Sequence, residues 1–376
     1  MADLHLGYRQ FQRLTPVGRN QREVDVRLSF MKAVTMAIQL EPDLVVVAGD
    51  VFHKPRPSNW VMHEAAEGFR LLTDRKIPVC IVAGNHDQNK LVAEGQVLDL
   101  LRLTGCHVAT RGPAITNPAP LVFGVPEGCW AKGRGRAFAP DSILLLHGEI
   151  QGVLPFHSEH AIPLADIEAT GWSYVALGHW HQRLDLWPNG GYSGSLDYVS
   201  SDIWSEARSG IPKGFIEYDT ETRRRTFHRI ETRPVVDLPP IDASGWAASK
   251  ITEALVAVAE YHGLPEGAIA RQRVLNVERT EYRMVNHKAV KKASERLLAL
   301  QIQPSPPPSV VSPPDGFASW EAWEAWCRDE VFTPVVPGDT DDTAIAADDT
   351  AIAAALQRPT DDLTREVNDL YGLNAS

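Results

Sequence analysis

Five short apolar runs recur in the first half of the chain, and each ends in polar residues. They are LVVVAGD (44–50), VCIVAGNHD (79–87), LVFGVPE (121–127), SILLLHGEI (142–150) and YVALGHWH (174–181). Unbroken apolar runs, as opposed to alternating ones, predict strands covered on both faces. Between the first two, SNWVMHEAAEGFRLLTDR (58–75) has helical spacing, with Ser58 or Asn59 placed to cap its start. A second helix is predicted over EVDVRLSFMKAVTMAIQL (23–40). Strand, helix, strand at this spacing reads as a layered α/β domain. Farther on, GGYSGSLDYVS (190–200), GFIEYD (214–219) and RRRTFHRIE (223–231) read as hairpin strands.

After about Val235 the texture changes. DASGWAASKITEALVAVAEYHG (242–263) is helical, RQRVLNVERTEYR (271–283) reads as a strand, and HKAVKKASERLLAL (287–300) is helical again. This predicts a small α+β second domain over 236–302, following a first domain over 1–235. QPSPPPSVVSPP, within 303–318, reads as a stiff linker. The remainder, 319–376, holds a helical pattern, SWEAWEAWCRDEVF, and an acidic low-complexity tail in which DDTAIAA occurs twice in succession before a last helical pattern, DLTREVNDLYG (362–372). Two copies of seven residues are too few for a solenoid.

Composition narrows the class. The apolar fraction of 44% and the charged fraction of 23% are ordinary for a globular chain. Cys80, Cys106, Cys129 and Cys327 form no CxxC pair, which argues against a zinc framework or a disulfide scaffold and suits a reducing cytosol. No apolar run is long enough to span a bilayer and no leader pattern is present, so a cytoplasmic location is expected. A net charge of −11 speaks against a general nucleic-acid binder, but not against a local basic groove or bound cations that reverse the field at one site.

The strand ends carry the chemistry. Ligands of open α/β sheets gather at the carboxyl ends of the strands. Here those ends offer Asp50, Asn85 with His86, His147, and His179 with His181, while MADLHLGY opens the chain with Asp3 and His5. One histidine at a strand end is commonly structural; the same feature repeated at five places is not. Carboxylate, amide and imidazole donors without thiolate suit hard to borderline divalent ions. The seven candidate ligands Asp3, His5, Asp50, Asn85, His147, His179 and His181 are too many for one tetrahedral site. They suit two ions about 3.5–4 Å apart sharing a carboxylate, a pair that activates water and neutralises phosphoryl oxygens during in-line attack.

The ordered blocks D-x-H (3–5), G-D (49–50), G-N-H-D (84–87), H-G (147–148) and G-H-x-H (178–181) resemble the calcineurin-like metallophosphoesterases over about residues 1–235. The resemblance implies an α/β fold: a layered β-sandwich metallophosphoesterase core with flanking helices, followed by a small α+β capping domain. It also implies that Asp3, His5, Asp50 and His181 hold one ion and that Asp50, Asn85, His147 and His179 hold the other. His86 would then be the acid that assists the departing oxygen.

Smaller features separate the substrate classes of this superfamily. GDVFHKPRPS (49–58), YSGSLDYVS (192–200) and IPKGF (211–215) resemble segments of the SbcD-type DNA-repair nucleases, and GDVFHKP lacks the GDxxDRG stretch of protein phosphatases. The resemblance implies a two-metal DNA exonuclease/endonuclease acting in end processing and repair. It also implies Mn2+ as the metal, with Mg2+, Fe2+ or Zn2+ as alternatives, a homodimer, and an SbcC-type, SMC-like ATPase partner bound through the C-terminal region. A small-substrate phosphodiesterase or nucleotidase, or a non-catalytic scaffold for such an ATPase, are the alternative readings. By the same resemblance His53 places the DNA strand; a partly exposed loop histidine is the plain alternative. Lys132, Arg134 and Arg136 in a glycine-bearing loop, and Arg271, Arg273, Lys288, Lys291 and Lys292 on the second domain, are candidate phosphate contacts or ordinary solvated charges. Trp320, Trp323 and Trp326, three apart, either pack inward or dock a partner. Only Met1 and Ala2 precede Asp3, where the family has about six apolar residues forming a strand. The favoured expectation is a start farther upstream; the alternatives are another segment filling the gap, or a degenerate copy with a loosely held Asp3 and a weakened ion site.

Overall fold

The computed structural model describes residues 1–89, 95–116, 122–130, 142–154, 161–168, 171–307 and 322. Helix α1 (Gln21–Leu40) starts where the Asn20 side chain accepts the Arg22 N–H, and it leads into strand β1 (Val45–Ala48). Helix α2 (Asn59–Thr73) is capped by Ser58 and is followed by β2 (Val79–Val82). A 3₁₀ segment, Val97–Thr104, precedes β3 (His107–Ala109). Strands β1, β2 and β3 make one parallel sheet in that order.

The second sheet comprises β4 (Ala114–Thr116), β5 (Val122–Val125) and β6 (Ile143–His147), then, after the short α3 (Leu164–Glu168), β7 (Tyr174–Gly178), β8 (Leu184–Trp187) and β9 (Gly190–Tyr192). Its order is β4-β5-β6-β7-β9-β8, with β5, β6, β7 and β9 parallel. The two sheets face each other through Ala48, Cys80, Val82, Val122, Leu145 and Ala176. Helices α1 and α2 cover the outer face of the first sheet through Phe30, Val34, Phe69 and Leu72. Trp130, Ile167 and Trp172 cover the outer face of the second. Both faces of each sheet are therefore apolar, which is why the strands read as unbroken runs. The fold is the mixed, layered α/β arrangement expected.

Helix α4 (Ile203–Arg208) follows, then the antiparallel hairpin β10 (Gly214–Tyr218) and β11 (Arg225–Arg229). Of GGYSGSLDYVS only β9 is strand; Ser193–Ser200 is loop that buries Ser195 and Asp197 under the site. Residues beyond Val235 build β12 (Val235–Asp237), β13 (Ile241–Asp242), α5 (Ala248–Glu260), β14 (Ile269–Leu275), α6 (Arg279–Arg283), α7 (His287–Ala293) and β15 (Ala299–Pro304). Strands β12 and β13 follow one edge of β14, and β15 runs along the other.

The C-terminal sheet departs from the pattern expected of its sequence. RQRVLNVERTEYR is not one strand: Asn276 takes a left-handed turn (φ 53°) after β14 and α6 follows. HKAVKKASERLLAL is not one helix: α7 ends at Ala293 and the chain returns as β15, where Leu300 and Ile302 pack beside Val274 and Leu255. The edge of β14 supplies hydrogen-bond partners that no local pattern announces. The linker consequently starts later than residue 303, since Gln303 and Pro304 belong to β15, an edge strand that tolerates proline. Met1–Pro308 is one compact unit and Ser309–Ser376 another. Trp320, Trp323, Trp326 and the acidic repeat lie outside the described residues.

A buried ion network braces the core beneath the site. Arg22, fully buried, donates to Asp25 (3.1 Å), to Asp197 (2.8 Å) and to the Tyr198 carbonyl (2.8 Å). Ser29 donates to Asp197, and Arg233 donates twice to Asp25 at 2.6 and 2.7 Å. One guanidinium thus joins α1 to the Asp197 loop, and Arg233 joins it to the start of the C-terminal sheet. Arg22→Met is expected to destabilise the chain by about 3–5 kcal/mol, because it strands buried carboxylates without their partner; urea unfolding measures this.

Candidate metal centre

Every candidate ligand leaves a strand end or the turn after one. Asp50 follows β1, Asn85 and His86 follow β2, His147 closes β6, and His179 and His181 follow β7. Asp3 and His5 reach the same place without a strand of their own. The Met1 amino group donates to the Val46 carbonyl (3.0 Å), Ala48 N–H to Met1 (2.9 Å), Asp3 N–H to Gly49 (3.1 Å) and His5 N–H to Asp50 (2.9 Å). Asp3 is 0% exposed, so the loosely held Asp3 expected from the sequence is not found: the edge of β1 grips the segment. The lower part of that edge borders a cavity of about 500 Å³ between Leu44–Val46 and Phe215–Tyr218.

Four of these residues lie in the left-handed region: Asp3 (φ 51°), His5 (φ 45°), Asp50 (φ 50°) and His179 (φ 106°). Each such residue costs on the order of 1–3 kcal/mol and persists only where its surroundings over-determine it. Two glycines allow the close approach. A Cβ on Gly49 would strike the His147 ring, and one on Gly178 would strike the Ala48 carbonyl, prising β1 and β7 apart where their ligands meet.

The donor atoms converge. Asp50 Oδ2 lies 3.5 Å from His5 Nε2 and 3.6 Å from His147 Nε2. His5 Nε2 faces His181 Nε2 at 3.1 Å, and His147 Nε2 faces Asn85 Oδ1 at 3.1 Å. Asp3, His5 and His181 form one group with donor atoms within 4.8 Å of one another; Asp3, Asp50 and His147 form a second. His179 donates its backbone N–H to Asp3 Oδ1 at 3.0 Å, and its ring stands edge-on to His147. Partners on the far nitrogens settle the tautomers. His147 Nδ1–H donates to the Ala48 carbonyl at 2.8 Å, which leaves Nε2 as the lone pair aimed at Asp50. His181 Nδ1 faces Glu206 at 3.6 Å, leaving its Nε2 toward His5. Imidazole lone pairs and carboxylates crowded into a buried space are at odds with one another unless cations sit among them, and the oxygen-and-imidazole set suits hard to borderline divalent ions.

Electrostatics agree with that reading. Burial and the surrounding imidazoles hold His5 well below the ordinary histidine value. Burial, then the neighbouring His147, lowers His179 to about 4, and burial, then His86, lowers His53 to about 4. These rings are neutral, as ligand nitrogens must be. His147 is the exception: burial pushes it down, but Asp50, Asp3 and Glu127 outweigh that and lift it to about 9, so without a cation Nε2 holds a proton toward Asp50 that a bound cation would displace. Burial, with the Asp50 charge, pushes Asp87 up to about 7 against three backbone donors.

His86 N–H donates to Asp50 Oδ1 at 2.9 Å, and His86 Nδ1–H donates to the His53 carbonyl, so its Nε2 is free to face the cleft. His53 stacks on His86 with ring centroids 5.3 Å apart. Both line a cleft of about 770 Å³ together with His5, Asn85, His179 and His181.

Of the candidate phosphate contacts, Arg271 is engaged within the protein. Its guanidinium makes two 2.9 Å bonds to Asp237 and lies over Trp204, which makes it part of the joint between the two sheet systems. Arg273 is half-buried on the same strand, and Lys288, Lys291 and Lys292 are exposed on α7. Lys132, Arg134 and Arg136 lie outside the described residues.

Three supporting residues escape a reading of ligand blocks. Asp87, fully buried, accepts from Val51, Phe52 and Gly84 N–H at 3.1, 2.8 and 3.1 Å, locking the Asp50 turn to the Asn85 turn. Lys213 pairs with Glu206 and donates to the His181 carbonyl (2.8 Å) and Ser195 Oγ (2.9 Å). Burial pushes Glu206 up, but its bond to His181 and the Lys213 charge outweigh that and hold it at about 2. Asp87 and Lys213 stand in the GNHD and KGF blocks; Glu206 carries no local signal. Asp87→Ala leaves three buried N–H groups without an acceptor and is expected to lower stability by about 3 kcal/mol in urea unfolding.

Residues 1–183 match the calcineurin-like phosphoesterase family. Proteins named DNA double-strand break repair protein Mre11 are similar to the chain. The one from Methanococcus maripaludis is 29% identical over 236 residues, 57% of this chain and 60% of that protein. The one from Methanocaldococcus jannaschii is 29% identical over 234 residues, 58% of this chain and 61% of that protein. The one from Archaeoglobus fulgidus is 28% identical over 280 residues, 65% of this chain and 61% of that protein. The chain thus spans about 60% of the length of these curated relatives. The strand-end cluster, from Asp3 to His181, lies within residues 1–183, the chain's calcineurin-like phosphoesterase domain.

Proposed function

We propose that this chain is a DNA nuclease of end processing and repair, hydrolysing phosphodiester bonds with two divalent ions. The observation that carries the reading is the placement of one carboxylate oxygen, Asp50 Oδ2, between His5 and His147 at 3.5 and 3.6 Å. Asp3, His5 and His181 would hold one ion; Asn85, His147 and His179 the other; Asp50 would serve both. Such a pair supplies water activation and charge neutralisation at the phosphoryl oxygens. DNA as the substrate class is supported by the name of the Mre11 relatives and by the GDVFHKPRPS stretch. Manganese is the proposed ion, with Mg2+, Fe2+ or Zn2+ as alternatives, since oxygen and imidazole donors without thiolate suit hard to borderline divalent ions.

His86 would donate a proton to the departing oxygen. Its Nδ1–H is occupied by the His53 carbonyl, so Nε2 is the atom that carries the proton, and histidine suits this exchange near neutral pH. His53, stacked on His86 at the mouth of the cleft, would hold the strand against that nitrogen. Lys288, Lys291 and Lys292 would add backbone contacts without reading sequence. A homodimer and an ATPase partner docking on the region beyond residue 303 complete the proposal.

The test is manganese-dependent cleavage of linear duplex DNA, single-stranded DNA and bis-p-nitrophenyl phosphate. His86→Ala is expected to lose about 10²–10⁴-fold in rate while manganese still binds, since general acids contribute on that scale. Cleavage of the small ester alone would favour a small-substrate phosphodiesterase, and no cleavage at all would favour a scaffold.

A further inference from the structure

One carboxylate beside the cluster has no part in the seven-ligand scheme. Glu127 follows β5, and the parallel order β5-β6-β7 makes it the third ligand-bearing strand end in a row. The register pairs Val125 with Leu146, and His147 with Gly178, so Glu127, His147 and His179 leave neighbouring strands at one level. A carboxylate oxygen of Glu127 and nitrogens of His147 and His179 lie within 4.8 Å of one another. The backbone is fixed there as well. Glu127 N–H donates to the Ala83 carbonyl at 3.1 Å, and Gln88 Nε2–H donates to the Glu127 carbonyl at 3.2 Å. Those two contacts tie Glu127 to both sides of the turn that carries Asn85. Room for the carboxylate comes from Gly148, where a Cβ would lie 3.3 Å from Glu127 Oε2.

We propose that Glu127 is a further ligand of the ion held by Asp50, Asn85, His147 and His179, a proposal that rests on the two-ion reading. A second carboxylate at this ion would match the two that Asp3 and Asp50 give the other, and would raise its protein donors to five. Five protein donors exceed what a tetrahedral zinc site takes and favour an ion that accepts higher coordination through oxygen, such as manganese.

The experiment titrates metal-free protein with Mn2+ and follows free Mn2+ by electron paramagnetic resonance, which yields ions per chain and both dissociation constants. Wild type, E127Q, E127A and H147A are compared, with circular dichroism melting to establish that each is folded. The expected result is two ions on wild type, with E127Q and E127A weakening one of them at least about tenfold, as loss of metal-site partners does. H147A is expected to weaken that same ion, so that H147A with E127Q loses less than the two single changes would together. Two ions on folded E127Q or E127A with wild-type constants would overturn Glu127 as a ligand and leave the two-ion reading standing. Fewer than two ions on wild type would overturn both.

Discussion

A single buried carboxylate, Asp50, organises the molecule. It sits 2% exposed between two imidazole nitrogens, with Asp3 and Asp87 close enough for their charges to be felt. Without cations, several acids in one low-dielectric space repel and several neutral imidazoles have their lone pairs directed at one another. The folded chain nevertheless holds this arrangement, through backbone bonds: His86 N–H to Asp50, His179 N–H to Asp3, and three N–H groups to Asp87. Divalent ions would relieve the repulsion that the scaffold maintains.

The scaffold carries that tension in layers. Left-handed backbone at Asp3, His5, Asp50 and His179 is nearest the cluster. Behind it, Lys213 and Glu206 orient His181, and Ala48 orients His147. Behind those, Arg22 joins α1 to the Asp197 loop, and Arg233 extends the same network to the C-terminal sheet. The C-terminal sheet system also touches the N-terminal one through Trp204 and Ile269, with Arg271 stacked on Trp204. Whatever substrate lies in the cleft therefore meets a floor whose side chains are fixed from behind, the condition for placing a phosphoryl group accurately.

Much of this was legible in residue order. Both long helices and the five buried strands followed from apolar spacing, because burial on both faces demands unbroken runs. The start of α2 was legible as Ser58 or Asn59, because both side chains can accept a helix's first N–H groups, and the structure selects Ser58. Beyond Val235 the reading lapsed. RQRVLNVERTEYR contains a turn at Asn276 that neither Gly nor Pro marks, and ALQIQP became a strand because β14 had an open edge. The pairing of Arg271 with Asp237 was equally hidden, because the two lie 34 residues apart in sequence.

The sequence by itself determined where strands end and which donor atoms stand there, since periodicity records burial and a polar residue after an apolar run must leave the core. It determined the donor chemistry too, oxygen and imidazole without thiolate. Tertiary structure alone decided that Asp3 is gripped by the edge of β1, that Glu206 and Lys213 stand behind His181, and that Glu127 shares a level with His147 and His179. These depend on strand order and register, which arise from pairing between distant segments and leave no mark in local spacing.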